Sequence, residues 1–168
     1  AGATNTFRVL GTKAGIVVFI IDFAKGFAAV SLSALSCLEP GSNEMYGLKL
    51  ALLFAAFIGH VFPVFAGFKG GKGVATIAGG MLAVYPPAVA LCLLTFFLVL
   101  ILTHYVSLSS MTAGIMLPVY TVFVFGHTNT VLVVTCCIVA VGLIITHRKN
   151  ISRLLKGTEN KTYLRKRK

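Results

Sequence analysis

Residues 88–103 read AVALCLLTFFLVLILT, a run of consecutive positions without a charge. A helix over this run would extend about 24 Å at about 1.5 Å per residue, close to the hydrocarbon thickness of a bilayer. Similar apolar runs cover much of the 168-residue chain, which is 57% hydrophobic and has a mean hydropathy of +0.93. The sequence therefore predicts an integral membrane protein and excludes a soluble domain.

Outward from this run, further apolar stretches predict an all-α polytopic membrane helix bundle that forms a single domain over 1–168. The run from Val74 to Val84 is short for a full crossing, so we expect a tilted or partly buried helix there. The first span carries Asp22 and Lys25, which share a helix face and are expected to pair inside the bundle. The six expected spans cover 14–38, 46–62, 74–84, 88–103, 107–125 and 130–146, followed by a basic tail over 148–168.

The first thirteen residues, AGATNTFRVLGTK, precede the first span and contain small and polar residues with a cation at Arg8. Taken alone, this composition favours a solvated loop. The chain also opens without a methionine or a signal peptide. We therefore expect the sequence to be a fragment that begins inside a motif.

The charges are distributed unevenly between the two sides of the predicted bundle. Fifteen lysines and arginines stand against four acids, a formal net charge of +11, and nine of these cations lie from Arg148 onward. Arg8, Lys69 and Lys72 fall on the same side as this tail, which the positive-inside rule makes cytoplasmic. A basic tail beside membrane spans indicates contact with anionic lipid headgroups, and no nucleic-acid-binding motif is present.

The loop after the second span, Gly59–Thr76, reads GHVFPVFAGFKGGKGVAT. Its glycines at 70, 71 and 73 let successive N–H groups converge on an anion, and the following helix start adds its positive dipole end. Lys69 and Lys72 supply charge at the same place. A glycine follows Lys72, so the spacing is not that of a Walker A loop. The loop indicates a phosphate site, and a flexible basic turn at the membrane surface is the alternative.

The expected topology brings four polar segments to one face of the bundle. They are the region around Arg8, the glycine loop, a serine-rich elbow over 107–112, and the residues from His147 to Arg153. Clustered cations, glycines and hydroxyls around one mouth suit a pair of anionic substrates. Helix ends at a membrane surface also give a lipid chain access from the side.

These motifs resemble the bacterial acyl-phosphate:glycerol-3-phosphate acyltransferase family, the PlsY type. The resemblance implies a seven-helix protein of the inner membrane, with its active site and C-terminus cytoplasmic. The family's first helix and a serine-glycine-asparagine run before Gly2 are missing here, which leaves six spans. The matching residues are GATN at 2–5 with Arg8, Gly11 and Gly15, DFAKG at 22–26, Gly59 and His60 with KGGKGVAT at 69–76, and HRKNI at 147–151 with Arg153, Gly157 and Glu159.

The resemblance also implies a role for each matching site residue. Arg8 and Lys72 would hold substrate phosphate, and His147 and Asn150 would hold the glycerol moiety and its reacting end. For His60 the alternative is a helix-end histidine satisfied by backbone, and Glu159 is expected to pair with the tail's cations. The expected catalytic residues are His147, Lys72 and Asn150, and the expected substrate-binding residues are Asn5, Arg8, His60, Lys69, Gly70, Gly71, Gly73, Ser110 and Arg153.

The implied reaction transfers an acyl group from acyl phosphate to the 1-hydroxyl of sn-glycerol 3-phosphate, giving lysophosphatidate for phospholipid biosynthesis. The donor is already activated, so holding two anions together and placing the hydroxyl would suffice. The sequence shows no metal-ligand cluster, no Ser-His-Asp set and no cofactor motif. Membrane lipids are expected partners, and no obligate protein partner is evident. Proton removal is open between His147 and a substrate phosphate oxygen.

Acyltransferases of the other glycerol-phosphate type carry an aspartate five positions after a histidine. None of the four histidines here is followed by one, which favours acyl phosphate over a coenzyme A thioester. A transporter or channel for a phosphorylated anion is the alternative function, although transporters place charges near the bilayer midplane and show repeated halves. A non-catalytic subunit anchored by its basic tail would leave the glycine loop without a purpose.

Overall fold

The computed structural model describes residues 2–163, and these residues form helices joined by short loops, which confirms the all-α prediction. A 3₁₀ turn, Leu32–Leu35, extends α2, another, Val64–Ala66, follows α3, and a π-helical turn, Tyr120–Val124, continues α6. The helices are α1 (Ala3–Val9), α2 (Gly11–Ser31), α3 (Asn43–Val61), α4 (Val74–Val84), α5 (Pro86–Thr103), α6 (Val106–Val119), α7 (Thr130–Thr146) and α8 (Arg148–Leu155).

The apolar helices account for all six stretches that the sequence predicts. Four of them are long and apolar enough to cross a membrane, and they contain α2, α3, α5 and α6. α7 qualifies as a fifth candidate together with α8, from which it is bent by 61°. α4 has 11 residues and is about 16 Å long, so it is the short, partly buried helix that the sequence predicts.

Contacts between loops show that the segments before and after α4 lie toward opposite ends of the bundle. Tyr85, directly after α4, stacks edge-on against His127 with ring centroids 5.2 Å apart. In the same region the side-chain amide of Asn129 donates to Asn43 over 3.0 Å, at the start of α3. The segment between α3 and α4 therefore lies at the opposite end from Tyr85, together with α1, the start of α6 and α8.

α4 packs closely against α2 because both helices present glycines to each other. A Cβ at Gly26 would collide with the backbone carbonyl of Thr76, and one at Gly79 would collide with the carbonyl of Phe23. Small residues at such contacts let helix backbones approach, which is how helices associate in a membrane. This contact fixes the start of α4, and with it the glycine loop, against the middle of α2.

The expectation of a solvated loop at the start of the chain is wrong. The first residues are not a solvated loop, because α1 spans Ala3–Val9 and packs beside α2. The segment predicted as a basic tail is partly helical. It begins with helix α8, after which the N–H of Thr162 donates to the carbonyl of His104 over 2.7 Å. The remaining expected tail cations, at 165–168, lie outside the described residues.

Candidate functional site

The polar segments that the sequence places on one face do meet at one end of the bundle. A Cβ added at Gly71 would lie 3.3 Å from the Cα of Gly2, so the start of α1 lies close to the glycine loop. Ser107, in the first turn of α6, donates to Glu159 over 2.9 Å, which joins the serine elbow to the segment after α8. The charge of Lys72 lowers the pKa of His147, so the loop also lies near the α7–α8 bend.

His147 lies at the bend, beyond the last residue of α7, and is only 1% exposed. Its Nδ1 lies 2.8 Å from the carbonyl oxygen of Leu143. Because a carbonyl only accepts, Nδ1 carries the ring proton and Nε2 keeps a lone pair. Burial lowers the pKa of His147 to about 4 despite the bond to Leu143, and the charge of Lys72 acts in the same direction. His147 is therefore a neutral hydrogen-bond acceptor at neutral pH.

Glu159 is buried at the centre of a hydrogen-bond network. Its Oε1 accepts from Asn150 over 2.7 Å and from Ser107 over 2.9 Å, and its Oε2 accepts from the Arg153 guanidinium over 2.6 Å. Burial alone would raise the pKa of Glu159, but the bonds from Arg153, Asn150 and Ser107 outweigh it and lower that pKa below its usual range. The carboxylate is therefore ionised and ties α6, α8 and the following segment together.

The chain returns to this network through a left-handed turn after α8. Gly157 has φ +67°, and the N–H groups of Gly157 and Thr158 donate to the carbonyls of Leu154 and Arg153. Glycine at this position ends a helix without the steric cost that a side chain would have. The turn directs Glu159 back toward the face of α8 that carries Asn150.

The side-chain amide of Asn150 is hydrogen-bonded through its nitrogen but, within residues 2–163, not through its oxygen. Its amide nitrogen donates to Glu159, whereas its Oδ1 is buried and has no hydrogen-bond partner among the described residues. A buried acceptor without a partner is rare in folded proteins and costs about 1–3 kcal/mol. Oδ1 of Asn150 and Nε2 of His147 thus give this side of the site two acceptors for hydroxyl donors.

The glycine loop differs from the anion cradle that the sequence suggests. The N–H groups of Gly70 and Gly71 donate to the carbonyls of Val61 and His60, over 3.1 and 3.3 Å. These two groups are therefore not available to an anion, and this part of the prediction is wrong. A Cβ at Gly70 would collide with the carbonyl of His60 and one at Gly71 with the His60 ring, so these glycines permit a close approach of the loop to the end of α3.

Lys72 and the start of α4 are the groups of this loop that remain available to an anion. Burial lowers the pKa of Lys72, the charges of Arg153 and Arg8 act in the same direction, and Glu159 opposes them. The first N–H groups of a helix have no intrahelical partner and carry the positive end of its dipole. Gly73, with φ +79°, makes the turn from Lys72 into α4. An anion here would meet one side-chain cation and the helix start.

The other expected site residues differ in their exposure and in their contacts. Asn5 and Arg8 lie on exposed positions of α1, and Lys69 is exposed at the loop. Ser110 is buried, donates to the carbonyl of Val106 over 2.8 Å, and lines an apolar cavity between α4, α5, α6 and α7. The His60 side chain is not exposed to solvent, because its ring contacts Asp22 and Lys25. Arg153 reaches the site through Glu159.

The sequence reasoning missed the part that Ser107 and Glu159 take in the site. Glu159 is the one acid in a strongly basic segment, so the expected pairing with a tail cation is confirmed for Arg153, but its bonds to Asn150 and Ser107 were not foreseen. The signal that the sequence offers for this network is a single acid that follows the HRKN motif in a basic segment. Among residues 2–163 no three histidine, cysteine or acidic side chains converge as a metal site.

Taken together, the fold and the site define a polytopic helical membrane protein with a buried polar site, rich in cations and hydrogen-bond acceptors, at one end. The family model described as glycerol-3-phosphate acyltransferase matches residues 1–157. Glycerol-3-phosphate acyltransferase of Fusobacterium nucleatum is 43% identical over 161 residues, 96% of this chain and 79% of the relative. Glycerol-3-phosphate acyltransferase 2 of Bacillus anthracis is 44% identical over 160 residues, 95% of this chain and 79% of the relative.

Solved structures agree with this assignment. PlsY (YgiH), an integral membrane glycerol 3-phosphate acyltransferase, matches in its glycerol 3-phosphate form with a TM-score of 0.84 and 37% identity, over 96% of this chain and 78% of the other. Its lysophosphatidic acid form matches with a TM-score of 0.83 and 37% identity, over 96% of this chain and 79% of the other. The chain belongs to the glycerol-3-phosphate acyltransferase family, and it is a multi-pass membrane acyltransferase of phospholipid biosynthesis.

Proposed function

We propose that this enzyme transfers an acyl group from acyl phosphate to the 1-hydroxyl of sn-glycerol 3-phosphate and forms lysophosphatidate. The observation that carries the proposal is a pair of acceptors beside the Lys72 cation, namely Nε2 of the buried residue His147 and the buried Oδ1 of Asn150. Acceptors recognise the hydroxyls of a polyol, and the cation recognises its phosphate. The solved glycerol 3-phosphate and lysophosphatidic acid forms of PlsY support the same substrate and product.

The phosphates of both substrates need positive charge to overcome their mutual repulsion. Lys72 is half-buried, and its pKa responds to the charges of Arg8 and Arg153, so all three cations act on one region. The free N–H groups at the start of α4 add their partial charges. Cations and backbone donors fixed before the substrates arrive also stabilise the negative charge that develops on the acyl oxygen in the transition state.

The proposed step balances without a cofactor. The glycerol oxygen forms a bond to the acyl carbon, the bond between that carbon and the phosphate oxygen breaks, and inorganic phosphate leaves. His147 Nε2 accepts a hydrogen bond from the attacking hydroxyl and orients it. With a pKa of about 4, His147 is a weaker base than a phosphate oxygen, whose second pKa is about 6. We therefore assign the proton to a phosphate oxygen and the orientation of the hydroxyl to His147.

The same proposal places the site at the cytoplasmic surface with access from the membrane. The described cations concentrate at this end, which the positive-inside rule assigns to the cytoplasm. An apolar cavity lies between α4 and α7, and Val74, at the start of α4, and Ser110 are among the residues that line it. An acyl chain in this cavity would lie in apolar surroundings while its phosphate stayed among the cations at this end of the bundle.

The donor assay tests this function directly. The purified protein, reconstituted in vesicles, is given radiolabelled glycerol 3-phosphate with acyl phosphate, acyl-coenzyme A or acyl carrier protein thioester in turn. We expect 1-acyl-glycerol 3-phosphate and one equivalent of phosphate from acyl phosphate, with rates at least tenfold lower from the thioesters. Comparable rates from acyl-coenzyme A, or acylation of the 2-hydroxyl, would contradict the proposal.

A further inference from the structure

A charged cluster, buried except for the Lys25 side chain, which is 39% exposed, lies next to the glycine loop and has no part in the reaction described so far. The ammonium nitrogen of Lys25 lies 2.6 Å from Asp22 Oδ1, which confirms the expected pair, and also 2.6 Å from His60 Nδ1. His60 Nδ1 lies 3.3 Å from the same carboxylate oxygen. Asp22 is 7% exposed, and the His60 side chain is 8% exposed.

The donors and acceptors of this cluster determine the form of the histidine. An ammonium group only donates, so at this distance His60 Nδ1 accepts from Lys25. The ring proton is then on Nε2, because a neutral imidazole carries one. Asp22 holds the Lys25 ammonium in place from its other side. The pair therefore fixes His60 as a neutral ring that presents an Nε2–H.

The Nε2 edge of His60 faces the glycine loop. A Cβ added at Gly71 would collide with His60 Nε2, and Gly71 in turn lies against Gly2 at the start of α1. The backbone of His60 and Val61 also accepts from the N–H groups of Gly71 and Gly70. Ring and backbone together hold the residues that immediately precede Lys72.

We propose that Asp22 and Lys25 are positioning residues, which act through the Nε2–H tautomer of His60 to hold the Gly70–Gly71 turn and thereby Lys72 in its phosphate-binding position. This rests on the proposed function, since it takes Lys72 as the cation that binds a substrate phosphate. A charged pair is expensive in an apolar span, and an ion pair serving only stability would need neither a histidine nor contact with the loop. The cluster connects α2, the end of α3 and the loop at a single point.

The tautomer is measurable in the wild-type protein, independently of catalysis. Nitrogen NMR of ¹⁵N-histidine-labelled protein distinguishes the two neutral tautomers, and His60→Gln assigns the signal among the four histidines of the chain. We expect His60 to be protonated at Nε2 and unprotonated at Nδ1 at pH 7. A proton on Nδ1, or on both nitrogens, would overturn the proposal even if acyl transfer proceeds as expected.

Kinetics then separate positioning from simple stabilisation. We expect Lys25→Met and Asp22→Asn to raise the KM of glycerol 3-phosphate, whose phosphate Lys72 is proposed to bind, at least tenfold, while the KM of acyl phosphate changes less than threefold. Lys25→Arg keeps a donor and should restore most of this loss. A partly unfolded preparation would lower kcat alone, because it reduces the amount of active enzyme without changing its affinity.

Lys49→Met is the matched control, since Lys49 also donates from a span, to the carbonyl of Ala83, but lies at the other end of α4. Both KM values should stay within twofold of wild type in this variant. Unchanged KM values in folded Lys25→Met and Asp22→Asn would overturn the positioning role. If the wild-type protein transfers no acyl group from acyl phosphate, the proposed function fails, while the tautomer measurement still decides the arrangement of the cluster.

Discussion

The glycine loop and the segment from His147 to Glu159 use polar residues in opposite ways. In the loop, two of the N–H groups expected to bind an anion are used by α3, and the glycines serve close packing. In the second segment, a stretch with the composition of a solvated basic tail contains a buried histidine, asparagine and glutamate, and the side chains of the last two are joined by a hydrogen bond. We propose Lys72 as the residue by which the loop contributes to the site, whereas the second segment contains a hydrogen-bond network.

This difference shows what composition indicates in a membrane protein and what it does not. Small residues at a helix contact permit backbone approach, whatever ligand lies nearby. Buried polar groups are retained where each has a partner or a ligand, and Asn150 Oδ1 has no partner among the described residues. The predictions below remove one element of either region at a time.

The largest effect is expected from Lys72→Ala, which removes the cation of the loop. A charge-assisted contact to phosphate is worth about 1.5–3 kcal/mol, and more in a water-poor site, so kcat/KM should fall about 100-fold or more. Initial rates in vesicles measure this, with Lys13→Ala as a control for loss of an exposed lysine near the same surface. Near-wild-type turnover by folded Lys72→Ala would show that the loop does not bind substrate phosphate.

The second effect is a loss of stability in acid that comes from the His147 region. The pKa of His147 is depressed from about 6.5 in the unfolded chain to about 4 when folded, so the unfolded state binds the proton more readily. Stability should fall by up to about 3 kcal/mol as the pH decreases from 6.5 to 4. The pKa of Glu159 is also lowered, so protonation of this carboxylate below the ordinary pKa of a glutamate should reduce stability further. Thermal unfolding in detergent at each pH measures this, and a His147→Gln protein with the same acid sensitivity would contradict it.

Glu159→Gln should be milder, because it keeps the shape but loses the ionised acceptor of Arg153, Asn150 and Ser107. The cost of one charge-assisted bond is about 1.5–3 kcal/mol, reduced here because the Arg153 side chain is 41% exposed to solvent. We expect a lower Tm and a reduced kcat with little change in the KM for acyl phosphate. Glu44→Gln, an exposed acid at the other end of the bundle, is the control. Equal Tm values for the two variants would show that the network adds no stability.

The smallest effect separates glycines that permit contact from glycines that do not. Gly71→Ala should lower stability by about 1–3 kcal/mol, because the added methyl meets the His60 ring. Gly59→Ala lies in α3 with open space around it and should be neutral or stabilising by up to about 1 kcal/mol. Chemical or thermal unfolding of both proteins gives the comparison, and equal losses would mean that the packing assigned to Gly71 is wrong.

Much of the fold follows from the sequence because apolar runs and charge bias are properties of long segments. The runs give the six apolar helices, and the i,i+3 spacing gives the Asp22–Lys25 pair. Contacts between distant residues do not follow, since nothing local links Glu159 to Ser107. Helix α1 was missed because its residues have no apolar periodicity of their own, and it forms beside α2. The roles of His147, Asn150 and Lys72 in catalysis stay predictions.

The most direct test of the account is the titration of His147, because the proposed site depends on a buried, neutral ring with a free Nε2. Histidine-labelled protein in detergent or nanodiscs is followed by NMR from pH 8 to pH 4, with His147→Gln assigning the signal. The account predicts a proton on Nδ1 throughout and a pKa of about 4. A ring that titrates near pH 6.5, or one that carries its proton on Nε2, would contradict it.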